Sequence, residues 1–136
     1  MNNNIKILRD KFIKHKIDGY IIPKNDEFFG EYIPDHNDRL HCISNFSGSY
    51  GIALILRNKN FLFVDGRYSL QANNQSGKYF KIITIPNKMP FNVLRGLKLK
   101  IGFDPNLLTT KSLSIFFGNT NCKLKPVMNN LVDKIW

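Results

Sequence analysis

The stretch from 46 to 68 does most to limit what this chain can fold into. Ile52-Ala53-Leu54-Ile55-Leu56 is an unbroken apolar run of strand length. It has no polar alternation and so no face to offer water, which predicts a central strand covered on both sides. Asn58-Lys59 predicts a turn with Asn58 at positive φ, and Phe61 to Val64 returns as the partner strand. Phe46-Ser47-Gly48-Ser49-Tyr50-Gly51 leads into this hairpin, and Val64-Asp65-Gly66-Arg67-Tyr68 leads out of it. A hairpin buried on both faces needs helices above and below it.

The rest of the chain supplies them. Ile5, Leu8, Phe12 and Ile13 recur at helical spacing, with a cap available from Asn2 to Asn4 and a stop at Asp18-Gly19. Tyr20-Ile21-Ile22 reads as a short buried strand closed by Pro23, and residues 24 to 45 as a loop followed by a short helix from Asp38 to Ile43. Asp65 caps a helix from Arg67 to Gln75; strands follow at Tyr79 to Ile85, Lys100 to Phe103 and Lys123 to Val127. Between them lie helices at Phe91 to Leu97 and from Thr109 or Thr110 to Phe117, and Asn130 caps a last turn from Leu131 to Trp136. Helices alternate with strands, so the fold expected is α/β: a mixed sheet with helices on both faces.

Composition excludes several classes. At 136 residues one domain, 1–136, is expected, and 43% apolar content with eleven Phe rules out a disordered chain. No apolar run approaches the roughly 18 residues a membrane span needs. Met1-Asn2-Asn3-Asn4 does not open a secretory signal, so the cytoplasm is the simplest location. Cys42 and Cys122 read as two free thiols. The net charge of +10 comes from scattered lysines, with no zinc-finger spacing, aromatic RNA-binding motif or basic heptad, and neither nucleic acid nor membrane is expected as a partner.

Catalytic sets are absent from the pattern. His36, His41 and Cys42 match no zinc spacing, and Glu27, Glu31, Asp35 and Asp38 suit ion pairs and caps as well as acid–base work. Ser47 and Ser49 do not sit in a nucleophile elbow. Arg67 stands apart. It follows a strand through the Asp65-Gly66 bend, where Asp65 can cap the next helix and accept from Arg67 or from local N–H groups. Its planar fork suits a carbonyl or carboxylate, although on spacing alone a purely structural arginine is the better reading.

These residues carry a resemblance. Tyr20-Ile21-Ile22-Pro23, Asp26, Glu31-Tyr32, Arg39, Phe46-Ser47-Gly48-Ser49, Gly51 and Asp65-Gly66-Arg67-Tyr68 fall in the order and spacing of the creatinase-type amino-terminal domain of Xaa-Pro aminopeptidases. Gly102, Asp104-Pro105 and the closing Asn130 to Trp136 resemble the three-domain members. Phe28, Tyr50 and Val64 depart from the usual pattern, which has His, a small residue and Thr there.

The resemblance implies a ribonuclease-H-like sheet of about six strands that leans over the substrate cleft. It implies that Arg67, supported by Asp65, contacts peptide substrate bearing proline at the second position. It implies a metallopeptidase whose two divalent metals, commonly manganese, lie in a carboxyl-terminal catalytic domain outside this chain. A middle domain and a homodimer of the full enzyme are implied with it. No catalytic or metal-binding residue and no cofactor is then expected within 1–136, and the domain alone is expected to be inactive. The alternative is a peptide- or protein-binding module derived from the same family that has lost its chemistry.

Overall fold

The structure, a computed structural model, describes residues 2–24, 38–48, 50–118 and 120–135. Asp26, Glu27, Phe28, Glu31, Tyr32, Asp35, His36, Ser49 and Trp136, named above, lie outside the described residues.

Six strands form one sheet: β1 (Gly19–Pro23), β2 (Ile52–Leu56), β3 (Asn60–Asp65), β4 (Lys81–Ile85), β5 (Lys100–Phe103) and β6 (Lys123–Pro126). Their order is β4-β3-β2-β1-β5-β6. β2 runs antiparallel to both β1 and β3, whereas β3–β4, β1–β5 and β5–β6 are parallel pairs. Five strands therefore point one way and only β2 opposes them. All five residues of β2 are buried, as its unbroken apolar run requires.

The two faces of the sheet build two cores. Tyr20, Ile22, Ala53, Ile55, Leu62 and Val64 face one layer. That layer comprises α1 (Asn2–Asp10), α2 (Phe12–His15), α3 (Arg39–Ser44), α4 (Ser69–Ser76) and a final 3-10 turn, Leu131–Lys134. Ile21, Leu54, Phe61, Phe63 and Ile101 face the other, which holds α5 (Pro90–Val93) and α6 (Thr110–Phe117). The period-two switch between faces is the strand pattern itself.

Local signals explain most boundaries. Asp38 caps α3 by accepting from His41 N at 3.1 Å, and Thr109 caps α6 by accepting from Ser112 N at 3.0 Å. Asn130 caps the final turn by accepting from Val132 N at 2.9 Å.

Four expectations need correction. The first helix breaks at Lys11 and ends at Lys16, which is left-handed (φ 57°), before Asp18-Gly19 is reached. It also begins at Asn2, so Asn3 and Asn4 lie inside it rather than capping it. Ile13 is 76% exposed, because the break rotates it off the apolar stripe. Asn58 does not take positive φ; among non-glycine residues described, only Lys16 and Asn45 do.

Candidate functional site

Because five strands are parallel, their carboxyl ends share one edge of the sheet. In open α/β sheets that edge is where ligands sit, since loops leave the strands there free of the helices that cover the faces. Lys24 and Asp104 follow β1 and β5 on this edge, and Asp65 and the cis Ile85-Pro86 bond close β3 and β4 there. β2 enters from it. Continuing the Ile52↔Phe63 register by two residues sets Tyr50 across from Asp65.

Asp65 organises the exit of β3. Its Oδ1 accepts from Arg67 N at 2.9 Å and from Arg67 Nε at 3.1 Å. The first contact starts a 3-10 turn, Gly66–Tyr68, that runs directly into α4. The second engages the guanidinium at its Nε edge. The Arg67 side chain is 76% exposed, and its Cζ lies 5.4 Å from the centre of the Tyr68 ring. The backbone N–H of Arg67, then its side chain, hold the Asp65 carboxyl below the usual aspartate range. Asp65 in turn raises the guanidinium further above its ordinary value. The fork is thus charged, oriented and open to solvent. Gly66 has open space around the position a Cβ would take, so the bend does not require glycine sterically.

The Phe46-Ser47-Gly48 turn braces this element. Ser47 Oγ accepts from Gln71 Nε2 at 3.0 Å and from Gln75 Nε2 at 2.9 Å, and Ser47 N donates to Gln75 Oε1 at 3.0 Å. Phe46 packs edge-on against Tyr68, with ring centres 6.3 Å apart. A Cβ on Gly48 would lie 2.2 Å from Phe46 Cζ, so the turn must close over the ring with glycine there. The structure therefore joins two sequence motifs into one support for Arg67. Gln71 and Gln75 were not foreseen, since nothing in a polar helix face tells which glutamine will reach a distant hydroxyl.

Beside this support lies a cavity of about 220 Å³, walled in part by Pro23, Lys24, Tyr50, Leu108 and Phe116. The Tyr50 hydroxyl is held above its usual pKa by burial and then by the charge of Asp65, so it is a neutral donor at physiological pH. Lys24 is paired with Asp38, the α3 cap. Leu108 and Phe116 arrive from the β5–α6 segment, a placement that only the sheet order reveals.

The remaining singled-out residues gather elsewhere and form a brace. Arg39 grips Asp133 through Nε (2.7 Å) and Nη2 (3.1 Å). Asp104 accepts from Asn106 N at 2.8 Å and from Asn130 Nδ2 at 3.0 Å. The buried Tyr20 hydroxyl accepts from Leu131 N at 3.3 Å. These bonds tie β1, α3 and β5 to the final turn. Among the described residues, no group of three or more His, Cys, Asp and Glu side chains converges as a metal site would require, and Cys42 and Cys122 are free thiols. No helix of the described residues is long and apolar enough to cross a membrane.

The family described as Creatinase/Prolidase N-terminal domain matches residues 5–134. A protein of Coprinopsis cinerea named Probable Xaa-Pro aminopeptidase P is 32% identical over 145 residues, covering 99% of this chain and 23% of that protein. The X-prolyl aminopeptidase of Caenorhabditis elegans, described as a cytosolic enzyme with a di-nuclear active site, has a similar structure. Its TM-score is 0.86 at 26% identity, over 98% of this chain and 25% of that one. The N-terminal domain of a cytoplasmic peptidase from Mycobacterium tuberculosis gives a TM-score of 0.76 at 20% identity, over 98% of both chains, a likeness of fold alone. The chain spans about a quarter of the length of the first two relatives.

Proposed function

The chain belongs to the creatinase/prolidase N-terminal domain family, and from that premise we propose that it is the amino-terminal, non-catalytic domain of an Xaa-Pro aminopeptidase. In this reading it shapes one wall of the substrate cleft, and Arg67, oriented by Asp65, binds peptide whose second residue is proline. The observation that carries the reading is the exposed Arg67 fork, held at its Nε edge by Asp65 on the carboxyl edge of the sheet.

The chemistry of binding follows from that arrangement. With the Arg67 side chain largely exposed, its terminal amino groups can donate together to a backbone carbonyl or to a terminal carboxylate. Holding the Nε edge beforehand removes rotamer freedom that the peptide would otherwise have to freeze out. The neutral Tyr50 hydroxyl supplies a further polar contact next to the apolar wall of Leu108 and Phe116. None of these groups forms a nucleophile–base pair, so the domain's part is to bind and orient.

The described residues do not assemble a metal-ligand cluster. The di-nuclear centre named for the Caenorhabditis relative has its counterpart, in this proposal, in further sequence of the enzyme. Two divalent metals, manganese in this proposal, would there supply an activated water for hydrolysis. The cytoplasm is the proposed location, and a homodimer of the full enzyme belongs to the same proposal.

Replacing Arg67 by Ala in the full-length enzyme tests the reading. Loss of a charge-assisted hydrogen bond is worth about 1.5–3 kcal/mol, on the order of ten- to a hundredfold in kcat/KM for Xaa-Pro peptides. Unchanged kcat/KM would remove Arg67 from the substrate site.

A further inference from the structure

The cavity beside the Arg67 support has a size and a lining that a main-chain contact alone does not explain. At about 220 Å³ it is smaller than the roughly 300–1,000 Å³ of pockets that enclose a whole small ligand, so it suits a single side chain. It lies on the carboxyl edge of the sheet, between the end of β1 and the start of β2 on one side and α6 on the other.

Each wall follows from local structure. Pro23 closes β1, Ile52 opens β2, and the two are register partners. Ile52 and Leu108 are buried members of the second core, so this part of the lining is apolar and fixed by packing. Ser112 and Phe116 stand four residues apart on α6 and share one face of it. Tyr50 forms the wall on the side of Asp65, at a position where the Xaa-Pro aminopeptidase pattern has a small residue. A small residue there would leave that side of the cavity open.

Charge around the cavity is balanced. Lys24 is the charged residue in the described lining, and it is paired with Asp38. Asp65 and Arg67 pair with each other. A charged side chain entering the cavity would give up its hydration and find no unpaired opposite charge in that lining. An apolar side chain would exchange water for Leu108, Phe116 and the Tyr50 ring.

We propose that this cavity is a subsite for an apolar side chain on the carboxyl-terminal side of the substrate's proline, with Tyr50 and Ser112 setting its bore. The inference rests on the reading of Arg67 as a peptide binder. In that reading the carbonyl of the first residue is attacked at the metals, so the oxygen that Arg67 takes belongs to proline or to a later residue. The side chain that follows it is then the one placed beside Tyr50.

The test is kcat/KM of the full-length enzyme for two peptide series, Ala-Pro-Zaa-Ala and Ala-Pro-Ala-Zaa, with Zaa as Gly, Leu, Phe or Glu. In one series Leu and Phe should exceed Gly on the order of tenfold, and Glu should not. Tyr50→Ala should lower the Leu-to-Gly ratio by about threefold or more, whereas Tyr50→Phe, which keeps the ring, should preserve it. Ser112→Phe should fill the cavity and bring the ratio toward one. The α6 cap meets the Ser112 backbone N–H, so a larger side chain there is compatible with the helix. A ratio between substrates is also insensitive to the fraction of enzyme that folds. Arg67→Ala should lower kcat/KM for every peptide by a similar factor and leave the ratio in place. Equal rates for Gly, Leu and Phe in both series, with Arg67→Ala still impaired, would overturn the subsite and leave the Arg67 reading standing. A preference that survives both Tyr50→Ala and Ser112→Phe would also overturn it. An unimpaired Arg67→Ala enzyme would remove the peptide-binding reading and this inference with it.

Discussion

Asp65 and Arg67 make a claim that pH can probe. The folded-state pKa of Asp65 is depressed, so its contribution is present above the ordinary aspartate value of about 3.9 and is lost as pH falls through the lower, folded value. At neutral pH the tether on Arg67 is intact. An NMR titration should find the Asp65 carboxyl below the ordinary value, and Arg67→Ala should raise it only partway, because the backbone N–H remains. A midpoint at the ordinary value in the wild type would contradict the tether. The brace residues predict a different outcome. Tyr20→Phe strands the buried N–H of Leu131 and should cost about 1–3 kcal/mol in urea unfolding, with no change at the Arg67 site. Sequence reasoning picked out Tyr20, Arg39, Asp104, Asn130 and Arg67 alike. Which of them brace the fold and which faces solvent depends on partners as far away as Asp133, which no local pattern discloses.

At the scale of elements, the strands were the most legible. The apolar run of β2 announced its burial, and short polar breaks bounded β3 and β5. Helix ends were harder to read, because a lysine adopted the left-handed position that glycine usually takes at a helix end. Close approach between elements also left little trace in the sequence. Gly102 sits where β5 meets β1, and a Cβ there would lie 2.9 Å from Ile17 Cδ1 and 3.0 Å from Tyr20 Cδ1. Tyr20 is held by its bond to Leu131 and cannot readily yield. Gly102→Ala should therefore destabilise the fold by about 1–3 kcal/mol through overpacking. Urea denaturation should show a lower midpoint with an unchanged slope. An unaltered midpoint would mean that β1 and β5 have slack between them.

For the whole molecule, alternation of helices and strands gave the α/β class and the mixed sheet, and the motif order gave the family. Strand order was not legible, because β1–β5 and β5–β6 pairings join segments whose contacts are set by packing rather than by neighbouring sequence. That order creates the carboxyl edge on which Arg67 follows β3. If residues 1–136 only bind and orient, the purified polypeptide should hydrolyse no Xaa-Pro peptide with any divalent metal added, and metal-dependent cleavage by it would refute the division of labour. The central claim is most directly tested by binding, measured as the dissociation constant of an uncleavable Xaa-Pro peptide analogue for the full-length enzyme. R67A should weaken it on the order of tenfold or more, and R67K should restore only part, because an ammonium lacks the planar fork. Wild-type affinity in R67A would contradict the account.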